Sequence, residues 1–150
     1  MTTTENVGGA RTPWWHWVVV LVAAVWNGFG AYDYICSNTQ GDTYLASMGM
    51  TEAQIAYFHA MPTWTMATWA LGVWGAVLGT VLLLFRSRWA VHAFVASIVG
   101  LVLSLIYTYL LSNGAELMGQ QGMIMNAVVF AGCVFFIWYA RLMAKRGVLR

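Results

Sequence analysis

Four apolar stretches, at residues 14–34, 62–85, 89–111 and 123–140, dominate the chain. Each is close to the roughly 20 residues that a helix needs to cross about 30 Å of hydrocarbon. Drawn as spanning helices, they put all seven Lys and Arg residues on one side of a membrane. Arg11 precedes the first stretch, Arg86 and Arg88 lie between the second and third, and Arg141, Lys145, Arg146 and Arg150 follow the fourth. Four of the five acids, Asp33, Asp42, Glu52 and Glu116, fall on the other side. An excess of Lys and Arg marks cytoplasmic loops. The pattern therefore predicts both termini inside and outer loops at 35–61 and 112–122.

Composition argues against a soluble alternative. With 61% apolar and 8% charged residues and a mean hydropathy of +0.68, the chain carries more apolar surface than a soluble fold of this size can hide. The expected fold is an all-α membrane protein, one four-transmembrane-helix bundle formed by residues 1–150. Its net charge of +2 sits at helix ends, where it meets anionic headgroups; no nucleic-acid partner is expected, and the lipid bilayer is the first partner. The first stretch is too long for a signal peptide and lacks an A-x-A cleavage site, so it is expected to stay. Cys36 is expected outside as a free thiol near the interface, with a bridge between two copies as the alternative. Cys133 falls near mid-depth in the fourth helix, out of its reach.

Aromatic residues mark the helix ends as amphipathic rings at headgroup depth should. Trp14, Trp15, Trp17, Trp89, Trp138 and Tyr139 mark inner ends, and Tyr32, Tyr34, Tyr107 and Tyr109 mark outer ends. A shift of half the chain superposes Trp14 on Trp89, Tyr32 on Tyr107 and Tyr34 on Tyr109. Duplication and the two aromatic belts both account for this match. Within the first outer loop, residues 51–60 predict a short interfacial helix: Thr51 caps it with Gln54 three residues on, and Pro62 ends it or begins the next helix. Asp42 is expected to cap a shorter turn through Tyr44 and Leu45.

Helices in lipid associate through small residues that let backbones approach. The second helix carries Gly72, Gly75 and Gly79 on one stripe; the third carries Ser97, Gly100 and Ser104. These faces are expected either to pack on each other or to form a homodimer seam. Polar side chains concentrate in the outer half, and each unpaired one there costs a few kcal/mol, roughly. Two arrangements follow: an outward-open polar pocket lined by Asn27, Asp33, Thr68, Tyr107 and Asn126, or a set of interhelical hydrogen bonds. Asp33 is either an ordinary carboxylate at the headgroups or, if desolvated, a proton carrier. Gly28 and Gly30 flank Phe29 just before it, and two glycines there predict a local kink or a close approach.

Catalytic motifs are absent: the sequence has no G-x-S-x-G elbow and no Walker loop, and Gly28-Phe29-Gly30 follows no strand. His16 and His92 both fall near the inner surface and could in principle flank a haem, although haem ligands generally sit deeper. His59, Asp42, Glu52 and Cys36 lack metal-ligand spacing. No metal and no cofactor are expected, and the chain is not expected to be an enzyme.

The stretch Trp26-Asn27-Gly28-Phe29-Gly30-Ala31-Tyr32-Asp33-Tyr34 carries a resemblance together with Thr51-Glu52-Ala53-Gln54, Tyr57-Phe58 and Arg86-Ser87-Arg88-Trp89-Ala90-Val91. It resembles a family of small four-helix bacterial inner-membrane proteins, some described as sugar transporters. The similarity covers most of the chain, including Tyr139-Ala140-Arg141 and the 147–150 tail. It implies a multi-pass protein of the bacterial inner membrane and transfers no site residues. Two functions follow. One is a non-catalytic accessory subunit of a larger membrane complex, or a binder of a lipid, quinone or similar amphiphile in the outward-facing polar pocket. The other is a small-solute, sugar-like transporter acting as a homodimer, since four helices alone hardly enclose an alternating-access path.

Overall fold

The computed structural model describes residues 10–150; the expected single domain thus begins in residues 1–9, which lie outside the described residues. The described chain is helical throughout, without strands. Helix α1 runs Trp14–Thr39, α2 Asp42–Ser47, α3 Glu52–Ala60, α4 Thr63–Leu84, α5 Trp89–Ile106 and α6 Gly114–Lys145, and a single π-turn, Tyr107–Leu111, extends α5. Four of these, counting α5 with its π-turn, are long and apolar enough to cross a membrane. At 22 residues, α4 spans about 33 Å.

Two helices outrun their expected bounds for local reasons. Helix α1 continues past residue 34 because polar side chains fold back on its own carbonyls: Asn38 Nδ2 donates to Tyr34 O at 2.8 Å and Thr39 Oγ1 to Ile35 O at 2.7 Å. Helix α6 begins at Gly114 rather than 123, interrupted at Gly119 (φ 61°, ψ −162°). Only glycine takes up that conformation readily, so Gly119 divides α6 into a short helical piece before it and the spanning piece after it. By contrast, α1 runs unbroken through Gly28 and Gly30, and a Cβ at either would meet nothing within 4 Å. The expected kink is absent because helical hydrogen bonding continues and no neighbour intrudes.

Helix α4 packs along α5, α1 packs on α4, and α6 packs on α5. The α4–α5 seam is a contact of backbones. A Cβ on Gly100 would lie 2.6 Å from Thr68 O and 2.7 Å from Gly72 N; one on Gly75 would lie 3.0 Å from Ser97 N. Gly79 provides a flat seat for the Phe94 ring, which a Cβ there would meet at 2.7 Å. Ser97 Oγ donates to Gly72 O at 2.6 Å, and the hydroxyls of Thr68 and Ser104 pair at 2.9 Å.

The N-terminal end of α1, the α4–α5 turn and the end of α6 meet at one end of the bundle, here the basic end. Helix α4 stops there on Arg86, held at φ 56°. Its N–H donates to Leu83 O at 3.0 Å and that of Ser87 to Leu82 O at 2.8 Å, a Schellman ending usually built on glycine. Helix α6 stops the same way on Gly147 (φ 72°), with Val148 N–H on Met143 O at 3.0 Å. The turn carries Val148 and Leu149 back into the core beside Val20, Leu83, Ala90, Phe94, Phe136, Tyr139 and Met143. Arg150 then bridges the α4–α5 turn: its N–H donates to Arg86 O at 2.7 Å and its carbonyl accepts from Arg88 N–H at 3.0 Å.

The opposite, acidic end is covered by α2 and α3. Thr51 and Gln54 form a reciprocal capping box on α3, with Gln54 N–H to Thr51 Oγ1 at 3.3 Å and Thr51 N–H to Gln54 Oε1 at 3.0 Å. Pro62 caps α4 instead of ending α3. The α2 cap differs from expectation: Gly41 (φ 60°) precedes the helix without a side-chain cap, and Asp42 pairs with His59. Cys36 is only 4% exposed, closed over by Tyr44 and Leu45. It therefore cannot bridge two copies as folded, because α2 lies on it.

The seam generates a contrast between two glycines. Gly100→Ala forces α4 and α5 apart and is expected to destabilise by about 1–3 kcal/mol, while Gly28→Ala, in open space, leaves stability unchanged or slightly raised. Thermal unfolding of both variants in detergent checks this; equal melting temperatures would refute a backbone-limited seam.

Candidate functional site

Several described polar side chains of the bundle interior pair across neighbouring helices, others such as Thr65 bond within their own, and no buried side-chain nitrogen or oxygen among them lacks a partner. Unpaired polar atoms in hydrocarbon are costly, so each pair fixes a helix contact. The five expected pocket residues are engaged separately. Asn27, 9% exposed, donates through Nδ2 to Thr80 Oγ1 at 2.9 Å, joining α1 to α4, and Thr80 donates onward to Ala76 O. Asp33 accepts from the Tyr44 hydroxyl at 2.8 Å, tying α2 to α1. Thr68 joins α4 to α5 through Ser104. Tyr107 stacks on Tyr57 and meets Trp64 edge-on. Asn126 donates to Tyr109 Oη at 2.9 Å, joining α6 to the π-turn. No hydrogen bond joins one of the five to another.

The π-turn is stabilised by one side chain. Ser112 Oγ donates to Tyr107 O at 2.8 Å and accepts from the Tyr57 hydroxyl at 2.7 Å. Gln54 of α3 adds a bond to Leu117 O at 2.9 Å. Tyr44 lies outside the spanning helices, and burial above all, followed by its bond to the Asp33 carboxylate, pushes its phenol up to about 12. A raised folded value means that its contribution to stability is complete below pH ~10 and is lost as pH rises toward 12. Tyr44 therefore remains a donor to Asp33 at all ordinary pH values.

One polar pair escaped the sequence argument. His16 is fully buried at the basic end, where Nδ1 lies 2.8 Å from Tyr139 Oη and Nε2 3.3 Å from Leu83 O. A carbonyl only accepts, so Nε2 carries the hydrogen, Nδ1 is left as an acceptor and Tyr139 donates to it. The imidazole thus bonds α1 to both α4 and α6, with both nitrogens used. His92 is exposed and lies against Trp89. At the acidic end, no three His, Cys, Asp or Glu side chains converge among the described residues.

Open grooves lie on the described helices. The first, about 300 Å³, lies between α1 and α6 and is lined by Val22, Trp26, Val128, Ala131, Gly132, Phe135 and Phe136. The Trp26 indole leans toward Gly132, where a Cβ would come within 3.6 Å of Nε1. That N–H is the single polar side-chain group among the lining residues. The second groove, about 540 Å³, follows one face of α6 at the basic end.

Compared with known proteins, the chain matches no family model, no curated protein and no solved structure.

The imidazole latch generates a measurable effect. Tyr139→Phe leaves His16 Nδ1 unpaired in the interior and is expected to destabilise by about 1–3 kcal/mol, whereas adding His16→Leu to it removes the orphan atom and recovers part of the loss. Unfolding of single and double variants in detergent tests the pair; strictly additive losses would show that the two side chains do not act together.

Proposed function

We propose that this chain is a non-catalytic protein of the bacterial inner membrane, with both termini cytoplasmic, that holds a lipid chain, quinone or similar amphiphile between α1 and α6. The observation that carries this reading is the open apolar groove beside Trp26, in a bundle whose described interior polar groups already have partners. An amphiphile fits it chemically: apolar walls on Phe135, Phe136, Val22 and Val128 suit a chain or prenyl tail, and the indole N–H suits an ester or quinone oxygen. A groove open toward the membrane admits such a molecule sideways and equally admits a helix of a larger complex, which keeps the accessory role within the same reading. The orientation rests on the Lys and Arg residues, gathered at the basic end. The membrane assignment rests on the resemblance of residues 26–34 and 86–91 to small bacterial inner-membrane proteins.

The homodimeric sugar-like transporter draws support from the two irregular stretches at the acidic end, the π-turn and Gly119, since transporter sites often use discontinuous helices. It also needs a polar route through the basic half, where Val20, Leu83, Phe94, Phe136 and Met143 fill the space. That packing favours the amphiphile.

Photolabelling with a diazirine-bearing fatty acid tests the groove. Label is expected on the α6 segment 128–136 and the α1 segment 22–26, and Ala131→Trp, which fills the groove from an exposed position, is expected to remove most of it. Label spread evenly over the lipid-facing sides of all four helices would sink the reading. Orientation is tested separately: a C-terminal fluorescent-protein fusion is expected to fluoresce and a C-terminal alkaline phosphatase fusion to be inactive, and the reverse pair would invert the topology.

A further inference from the structure

From the α6 face at the basic end we infer a second site, one for an anionic phospholipid, with its phosphate on Arg141 and Lys145. The two cations stand one turn apart on the same face of a groove that continues along Trp138, Ile137, Leu142 and Val134. Neither has an ion-pair partner among the described residues. The described acids cannot supply one, because Asp33, Asp42, Glu52 and Glu116 all belong to the acidic end. Two like charges at this spacing repel each other, so an anion from outside is the group they can accommodate.

The order of chemistry along the face identifies the class of anion. Lys145 and Arg141 come first, then the half-exposed Trp138 ring, then Ile137 and Val134 toward mid-depth. Charge, amphipathic ring and apolar surface in that sequence match the phosphate, glycerol and acyl regions of one lipid. A guanidinium presents a fork suited to two phosphate oxygens, and the ammonium adds a point charge beside it. A free phosphate would use the cations and leave the apolar part of the groove unfilled. The site is on a different face from the α1–α6 groove and does not rest on it.

Native mass spectrometry of the full chain in detergent, with phosphatidylglycerol and phosphatidylcholine added in equal amounts, tests the site. The wild-type protein is expected to retain phosphatidylglycerol preferentially, and Arg141→Gln with Lys145→Gln to lose that preference by about fivefold per charge removed. Arg11→Gln with Arg146→Gln removes the same charge at the same end, away from this groove, and is expected to keep it. All four side chains are exposed, and helical circular dichroism verifies that both variants fold. Three results would each overturn the assignment: equal retention of the two lipids by wild type, equal loss in both double variants, or displacement of the lipid by millimolar inorganic phosphate.

Discussion

A helix pair in a bilayer gains little from burying apolar surface, because the lipid is as apolar as the partner. Association must come from close backbone approach and from polar groups with no water to turn to. In this chain the α4–α5 seam supplies the first. Gly72, Gly75 and Gly100 remove the side chains that would separate the two backbones, and Ser97 uses the proximity to reach the Gly72 carbonyl. Everything else is built outward from that pair. Helix α1 is added to α4 by Asn27 and Thr80 near mid-depth and by His16 at the basic end; α6 is added to α5 by Phe94 stacking on Phe136. The two outer helices therefore rely on fewer and more specific contacts than the inner two.

The two ends of the bundle are closed by different chemistry. At the basic end the chain uses its own tail, turning on Gly147 so that Val148 and Leu149 fill the core and Arg150 bonds the α4–α5 turn. At the acidic end it uses a lid of two short helices tied down by hydroxyls and amides: Tyr44 to Asp33, Tyr57 to Ser112, Gln54 to Leu117. A plug of aliphatic side chains excludes water, whereas a lid of polar bonds can exchange its partners for water.

How far the sequence could be read follows from the same physics. The length and apolarity of the spans and the capping box on α3 were legible because they depend on local spacing alone. The stripes on α4 and α5 were legible as faces, while spacing could not say which face meets which. Asn27 was recognisable as polar at depth, yet its partner Thr80 was not, because a pairing between helices 53 residues apart leaves no local mark. His16 carried a signal that was missed. With Val20, Ala23 and Asn27 it forms one buried stripe at steps of four, three and four residues, which sets it apart from its exposed neighbours Trp14 and Trp17. Cys36 and the tail were illegible for a different reason: their burial depends on segments that fold over them from elsewhere in the chain.

The position of the α1–α6 groove follows from where those two helices touch. Their described side-chain contacts lie at the basic end, through Trp15 and His16 on Tyr139. Farther along they are separated by Val22, Trp26, Phe135 and Phe136, which line the groove instead of closing it. With the latch at the basic end, the gap between the two helices falls farther along, beside Trp26. The latch uses both imidazole nitrogens, and each outer helix is tied again to the inner pair, α1 by Asn27 to Thr80 and α6 by Asn126 to Tyr109.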